Sequence, residues 1–190
     1  IYKENPTICI DSRRVTKGSI FIALKGENFD GNLYAEDAIK KGSRIAIVSD
    51  KEIANDNNIL FVEDCLIFLQ ELAKFHRDKL GIPIIAITGS NGKTTTKELL
   101  ATVLSKKFRI GYTHGNMNNH IGVPLTLLSM NKTIDLGIVE MGANHIGEIK
   151  ELCKIAKPNF GIITNIGMAH IEGFGSVEGV KKAKGELYDY

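Results

Sequence analysis

Ile84-Ile85-Ala86-Ile87-Thr88-Gly89-Ser90-Asn91-Gly92-Lys93-Thr94-Thr95-Thr96 is the stretch around which the rest of the chain is arranged. The apolar run Ile84 to Ile87 reads as a buried parallel strand. A glycine-bearing turn, Gly89 to Lys93, follows at once, and Thr94 to Leu104 reads as a helix. Strand, glycine turn and helix form the setting of a phosphate-binding loop. Glycines let backbone N–H groups turn inward on an anion, and the helix N-terminus adds its partial positive charge. In that geometry Lys93 reaches the β- and γ-phosphates and the Thr94 hydroxyl meets Mg²⁺. The general phosphate-loop pattern asks for a glycine where Ile87 stands, so this loop, Thr88-Gly89-Ser90-Asn91-Gly92-Lys93-Thr94-Thr95, is a shortened form. The bland alternative is a glycine turn beside a chance lysine; the flanking strand and helix weigh against it.

The 190 residues suffice for one large or two small domains with real cores. An apolar fraction of 43% and a charged fraction of 24% are those of an ordinary soluble globular protein. A formal net charge of +2, with lysines scattered, gives no reason to expect nucleic acid or an anionic membrane as partner. Cys9, Cys65 and Cys153 are odd in number, far apart and in apolar settings, so they read as buried reduced thiols of a cytoplasmic protein. No apolar stretch approaches the length of a membrane span, and the first residues do not read as a signal peptide.

Taken in order, Thr7–Ile10 and Ile20–Leu24 read as strands, and Ala35–Lys41 as a short helix stopped by Gly42. Ile45–Ser49 and Leu60–Val62 are further strands. Asp64 can cap a long amphipathic helix that ends near Leu80-Gly81, where Pro83 opens the next segment. That junction divides the chain into an N-terminal domain, 1–81, and a second domain, 82–190. The second continues with strands near Arg109–Thr113, Leu136–Met141 and Phe160–Asn165, and helices near Val123–Met130, Ile146–Ala156 and from Val177 onward. Such alternation predicts an α/β fold: a small mixed α/β domain, then a parallel sheet covered on both faces.

In open α/β sheets, ligands gather beyond the carboxyl ends of the strands. The Leu136 strand ends in Glu140-Met141-Gly142-Ala143-Asn144-His145, and the Phe160 strand in Thr164-Asn165-Ile166-Gly167-Met168-Ala169-His170. Glu140 is a hard oxygen ligand suited to Mg²⁺. Taken singly, Glu140 reads as a loop cap or an ion-paired residue, and a lone His170 has no stronger claim to function; emerging together beside a phosphate loop, they become site candidates. Gly115-Asn116-Met117-Asn118-Asn119-His120 is dense in side-chain amides, either a simple Asn-rich turn or part of the site. Lys181, Lys182 and Lys184 lie on the last helix, and two of the three read as its solvated face. His76, His114 and His120 lack a metal-site spacing.

Thr88–Thr96, Asn118-Asn119-His120-Ile121-Gly122-Val123-Pro124, Glu140–Glu148, Thr164–His170 and Ala183-Lys184-Gly185-Glu186 together resemble the Mur ligases. Asp11-Ser12-Arg13, Gly18-Ser19-Ile20-Phe21 and Gly26-Glu27-Asn28-Phe29-Asp30-Gly31 extend the resemblance over nearly the whole chain. The phosphate loop alone would fit folylpolyglutamate synthetase equally. The Glu140–His145 run and the Asn-Asn-x-Ile-Gly-Val-Pro run are similar to the branch that joins D-alanyl-D-alanine to UDP-N-acetylmuramoyl-tripeptide. The diamino-acid-adding branch is expected to carry Ser-Ser-His where Ala143-Asn144-His145 stands.

The resemblance implies an ATP-dependent amide ligase of peptidoglycan precursor synthesis, working through an acyl phosphate in the bacterial cytoplasm. It implies Lys93, Glu140, His170 and Lys184 as catalytic residues, and Gly89, Ser90, Asn91, Gly92, Lys93, Thr94, Thr95, Asn118 and Asn119 around ATP. Thr94, Glu140, His170 and Lys184 would hold one or two Mg²⁺ ions, Lys184 as a carbamate. Ser12, Arg13, Asn28, Asp30 and Gly31 would take the UDP end of the substrate, and Asn144, His145, Thr164 and Asn165 the remainder. The enzyme is expected to be a monomer acting on UDP-N-acetylmuramoyl-tripeptide and D-Ala-D-Ala, without nucleic acid or membrane. Ligases of this family have three domains, and by the resemblance this chain stops within the central one, so it is expected to bind without turning over. Two alternatives stand beside this reading: another Mur-type or folylpolyglutamate-type ligase, and a non-catalytic nucleotide- or UDP-sugar-binding module.

Overall fold

A computed structural model of the chain describes residues 7–55, 57–167 and 171–190, with the backbone alone at 171–172. His170, a candidate site residue, lies outside the described residues. Contacts divide the chain into two compact units, 1–71 and 72–190, so the division falls within a helix rather than at its end.

The first unit is built on β1 (Ile8–Cys9), β2 (Ile20–Ile22), β5 (Ile45–Val48) and β6 (Ile59–Phe61), a parallel sheet in the order β1-β2-β5-β6. Its strands are short and mostly buried, as expected where both faces are covered. A two-stranded antiparallel hairpin, β3 (Lys25–Gly26) and β4 (Phe29–Asp30), leads into α1 (Ala35–Lys40). The long helix α2 (Cys65–Leu80) begins where Asp64 Oδ1 accepts from the backbone N–H of Leu66 and Ile67, at 2.7 and 2.9 Å.

The C-terminal half of α2 belongs to the second unit for a physical reason. His76 Nε2 lies 2.7 Å from the Met130 carbonyl, and Arg77 donates to the carbonyls of Ala156 (2.7 Å) and Lys157 (3.0 Å). Those two carbonyls end α5 (Glu148–Ala156), so a guanidinium sits at the negative end of a helix.

The second unit is a parallel sheet in the order β10-β7-β9-β8: β10 (Phe160–Ile163), β7 (Ile84–Thr88), β9 (Leu136–Glu140) and β8 (Ile110–Tyr112). Side chains alternate between the faces of a strand. Ile87 and Ile138 point to the face covered by α3 (Lys93–Leu104), where Ala101, Leu100 and Leu104 meet them. The other parity, including Met141 just past β9, faces α4 (Gly122–Ser129), α5 and α7 (Val177–Asp189). There Met141 and Cys153 place their sulfurs 3.9 Å apart. A short helix, α6 (Ile171–Phe174), precedes α7. Helix α5 starts at Glu148 rather than near Ile146, because Gly147 at φ +97° interrupts the helical backbone. All three cysteines are buried and unpaired with one another.

The chain passes from β7 to β8 at one edge, returns to β9, and then places β10 on the far side of β7. The loop after β7 therefore sits at the switch point between β9 and β10, where the ends of all three strands converge.

Candidate nucleotide site

The turn after β7 is shaped by two glycines. Gly89 has φ +142°, and a Cβ there would stand 2.0 Å from Thr164 Oγ1. Gly92, at φ +77°, is the left-handed residue that opens α3, with nothing within 4 Å of a would-be Cβ. One glycine is needed for space and backbone, the other for backbone alone.

The end of β10 holds the loop from the side. Asn91 N–H donates to Asn165 Oδ1 (3.0 Å), and Thr164 Oγ1 and Asn165 Nδ2 donate to the Asn91 carbonyl (2.6 and 3.2 Å). Ser90 N–H donates to the Asn165 carbonyl, and Gly167 N–H donates to Ser90 Oγ at 2.9 Å. Thr164 and Asn165 thus set the loop's shape directly, a role closer than the substrate contact implied by the resemblance. Lys93 curls back onto its own loop, with Nζ donating to the carbonyls of Gly89 (2.8 Å) and Ser90 (3.3 Å).

On the other side stands Glu140, last residue of β9 and 1% exposed. Thr94 Oγ1 donates to its Oε2 at 3.1 Å, and Asn118 Nδ2 donates to its Oε1 at 2.8 Å. Its backbone N–H donates to Thr113 Oγ1 at 3.0 Å, fixing the end of β9 against the segment after β8. Asn118 also accepts from Gly142 N–H at 2.7 Å. A phosphate-loop threonine and a buried strand-end carboxylate within hydrogen-bonding distance are the donor set Mg²⁺ uses when phosphates supply the remaining ligands, so the residues fit that ion. Among the described residues no group of three histidines, cysteines or acids is gathered as a metal site.

Lys97 was not legible as a site residue. It lies one turn beyond Lys93 and Thr94, is 0% exposed, and brings Nζ to 3.5 Å from Glu140 Oε2. A lysine followed by glutamate on a helix reads as a solvated pair, and only the packing of β9 reveals otherwise.

Lys184, on α7, is 2% exposed; its Nζ donates to the Ala143 carbonyl (3.4 Å) and lies 5.2 Å from the Phe174 ring centroid. Burial, and next the charge of Lys93, bring its ammonium down to about 8 from an ordinary 10.5. Two residues on, Glu186 accepts from the N–H groups of Gly147 (2.6 Å) and Lys150 (2.9 Å), capping α5 from a neighbouring helix. Glu148 closes the same loop by accepting from Asn144 N–H (2.7 Å) and meeting His145 Nδ1 at 3.0 Å. His145 and Asn144 are exposed, and Thr95 is exposed on the first turn of α3.

Other candidates have local structural roles. Asn119 Oδ1 accepts from Ile121 and Gly122 N–H and so begins α4. Asp30 caps the 3₁₀ turn Gly31–Tyr34 through Asn32 N–H and Nδ2, at 2.9 and 2.7 Å. Gly31 lies so close to Leu24 that a Cβ would stand 2.5 Å from its carbonyl oxygen. Arg13 is held by Asp11 in a two-pronged pair (2.9 and 2.8 Å) on the surface, Ser12 is buried at the start of a separate 3₁₀ turn, Ser12–Arg14, and Asn28 is exposed at the hairpin tip.

A parallel α/β sheet with a glycine loop at its switch point, and a threonine–glutamate pair across it, is the arrangement that the resemblance implies, and the chain belongs to the Mur ligase family. The model of the Mur ligase middle domain matches residues 87–190, and that of the Mur ligase family catalytic domain matches residues 6–77. The chain is 42% identical over 183 residues to the UDP-N-acetylmuramoyl-tripeptide–D-alanyl-D-alanine ligase of Bacillus subtilis, and 41% over 181 residues to that of Escherichia coli. Each alignment covers 95% of this chain and 40% of the relative, so the chain spans two fifths of the length of these proteins. Among solved structures, MurF from Acinetobacter baumannii superposes with a TM-score of 0.89 at 40% identity, over 96% of this chain and 40% of that one. MurF ligase from Thermotoga maritima, solved in complex with ADP, gives 0.88 at 36% identity, over 96% and 43%.

Proposed function

We propose that this chain supplies the nucleotide site and the UDP-precursor site of an ATP-dependent ligase joining D-alanyl-D-alanine to UDP-N-acetylmuramoyl-tripeptide. The observation that carries the reading is the 3.1 Å contact between Thr94 and Glu140 across a phosphate loop built at the switch point. A pure binding module has no need of a buried carboxylate aimed at that threonine. The names of the relatives supply the substrates.

In this reading Gly89 to Thr95 wrap the phosphates of ATP with backbone N–H groups, and Lys93 leaves the carbonyls of Gly89 and Ser90 for the β/γ-phosphates. Thr94 and Glu140 hold Mg²⁺, which when bound neutralises developing phosphate charge. Asn118 orients the Glu140 carboxylate, and Asn119 shapes the loop beside it. Phosphoryl transfer asks chiefly for positioning and charge neutralisation, which these residues provide. The substrate carboxylate takes the γ-phosphoryl group, and the amine of D-Ala-D-Ala then displaces phosphate.

Lys184 is suited to carbamylation. Its amine is neutral in part near pH 8, and the neutral amine is the form that adds carbon dioxide, releasing one proton and turning a buried cation into an anion. With His170 it would serve a second metal. Residues 1–81, through Ser12, Arg13 and the Asn28–Gly31 segment, would take the UDP end, and residues 82–190 the nucleotide. Asn144, His145, Thr164 and Asn165 border the peptide side. The protein would act as a cytoplasmic monomer; among the described residues no helix is long and apolar enough to cross a membrane.

The test is a binding comparison with UDP-N-acetylmuramoyl-tripeptide, the corresponding dipeptide and folate. Preference for the tripeptide is expected. Equal binding of the dipeptide would move the chain to another branch of the family, and folate binding would replace the reading altogether.

A further inference from the structure

Lys97 is one of the largest fully buried side chains of the protein, and the chemistry above makes no use of it. Its ammonium has three N–H bonds and three oxygens within reach: Glu98 Oε1 at 3.2 Å, Glu140 Oε2 at 3.5 Å and the Gly115 carbonyl at 3.5 Å. It lies on the helix that begins with Lys93 and Thr94, directly behind the carboxylate assigned to the metal. Both oxygens of that carboxylate are occupied, Oε1 by Asn118 and Oε2 by Thr94 and Lys97.

We propose that Lys97 is a positioning residue, an internal counter-cation that makes divalent-metal binding at Glu140 conditional on nucleotide. The proposal rests on the assignment of Thr94 and Glu140 to the metal. Among the described residues no group of three acids, histidines or cysteines gathers around Glu140, and Lys97, which also meets the exposed Glu98, compensates its charge from 3.5 Å. A bare divalent ion arriving at Thr94 and Glu140 therefore meets a carboxylate already paired with the Lys97 ammonium, both of them buried. Repulsion between like charges is strong at such separations and weakly screened. Lys97 has no room to withdraw, because its side chain is wholly enclosed. A nucleotide di- or triphosphate changes the balance: it brings several negative charges, engages Lys93, and supplies the oxygen ligands that a small, tightly hydrated cation requires. The metal then enters with the nucleotide, and Glu140 completes its shell through one oxygen while Lys97 retains the other.

The test uses manganese(II) as the reporter ion, read as loss of the free-ion electron paramagnetic resonance signal beyond that taken up by ADP in buffer. The native chain and Lys97→Met are each titrated with and without ADP. The native chain is expected to take up manganese only with ADP. Lys97→Met, which keeps the side-chain length and removes the charge, is expected to bind manganese without ADP about tenfold or more tightly than the native chain does. A purely structural lysine would never improve metal uptake on removal. A native chain that holds manganese equally well with and without ADP overturns the proposal, and this measurement needs no variant to fold. So does a folded Lys97→Met chain with the native dependence on ADP. Absence of manganese uptake by either protein under every condition would remove the underlying metal assignment, and the proposal with it.

Discussion

Replacing Gly89 by alanine separates two demands that the phosphate loop makes on its glycines. At φ +142° an alanine is confined to backbone it rarely adopts, which costs about 1–3 kcal/mol. Its Cβ would also stand 2.0 Å from Thr164 Oγ1 and 3.1 Å from the backbone nitrogens of Thr164 and Asn165. The threonine hydroxyl cannot swing aside without losing its donation to the Asn91 carbonyl (2.6 Å), worth about 0.5–1.5 kcal/mol. The sum is about 1.5–4.5 kcal/mol, a large share of the stability of an ordinary domain. Gly92→Ala, at φ +77° in open space, carries only the left-handed penalty of about 1–2 kcal/mol. Urea unfolding followed by circular dichroism should place the Gly89→Ala midpoint about 0.5–1 M below that of Gly92→Ala, at a typical slope of about 2 kcal/mol per M. Equal midpoints for the two variants would refute the close approach of β7 and β10 at this loop.

Stability of the native chain should rise between about pH 8 and 10.5 through Lys184. There the unfolded lysine still holds a proton that the folded one has shed, so the penalty of burying the charge, complete below about 8, is relieved. The difference in unfolding free energy between native protein and Lys184→Met, followed over that range, should show this rise; a flat difference would contradict it. Glu186→Ala should lose about 1.5–3 kcal/mol, because two N–H groups at the start of α5 lose a charged acceptor, and Glu186→Gln should lose less. Amide exchange at Gly147 and Lys150 should accelerate in step, and unchanged exchange there would show that the carboxylate is not the cap.

The parts of this protein that a sequence discloses are those fixed by near neighbours. Ile84 to Leu104 contains strand, turn and helix in one continuous run, and Asp64 announces the helix it caps. The alternating apolar runs suffice for a parallel sheet. The hairpin Lys25–Asp30 has two-residue strands, too short to show a period. Asn119 was grouped with Asn118 because both are amides in one loop, yet one starts a helix and the other orients Glu140. Their roles differ by where β9 ends, which is a tertiary fact. Lys97 and Glu186 are the same case at longer range. Each looks like a surface charge on an amphipathic helix, and each is buried against a partner dozens of residues away. The fold was legible from periodicity, and the phosphate loop from its motif. The polar scaffolding that holds the loop required three strand ends to be seen together.

The central claim is that Lys93, Thr94 and Glu140 form one Mg²⁺-nucleotide site, and titration calorimetry of the chain with ADP in the presence of Mg²⁺ tests it most directly. Saturable one-site binding is expected, weakened by Thr94→Ala and by omission of Mg²⁺, and lost in a Lys93→Ala chain that unfolds at the native temperature. ADP binding of native strength by folded Lys93→Ala, or none by the native chain, would contradict the account.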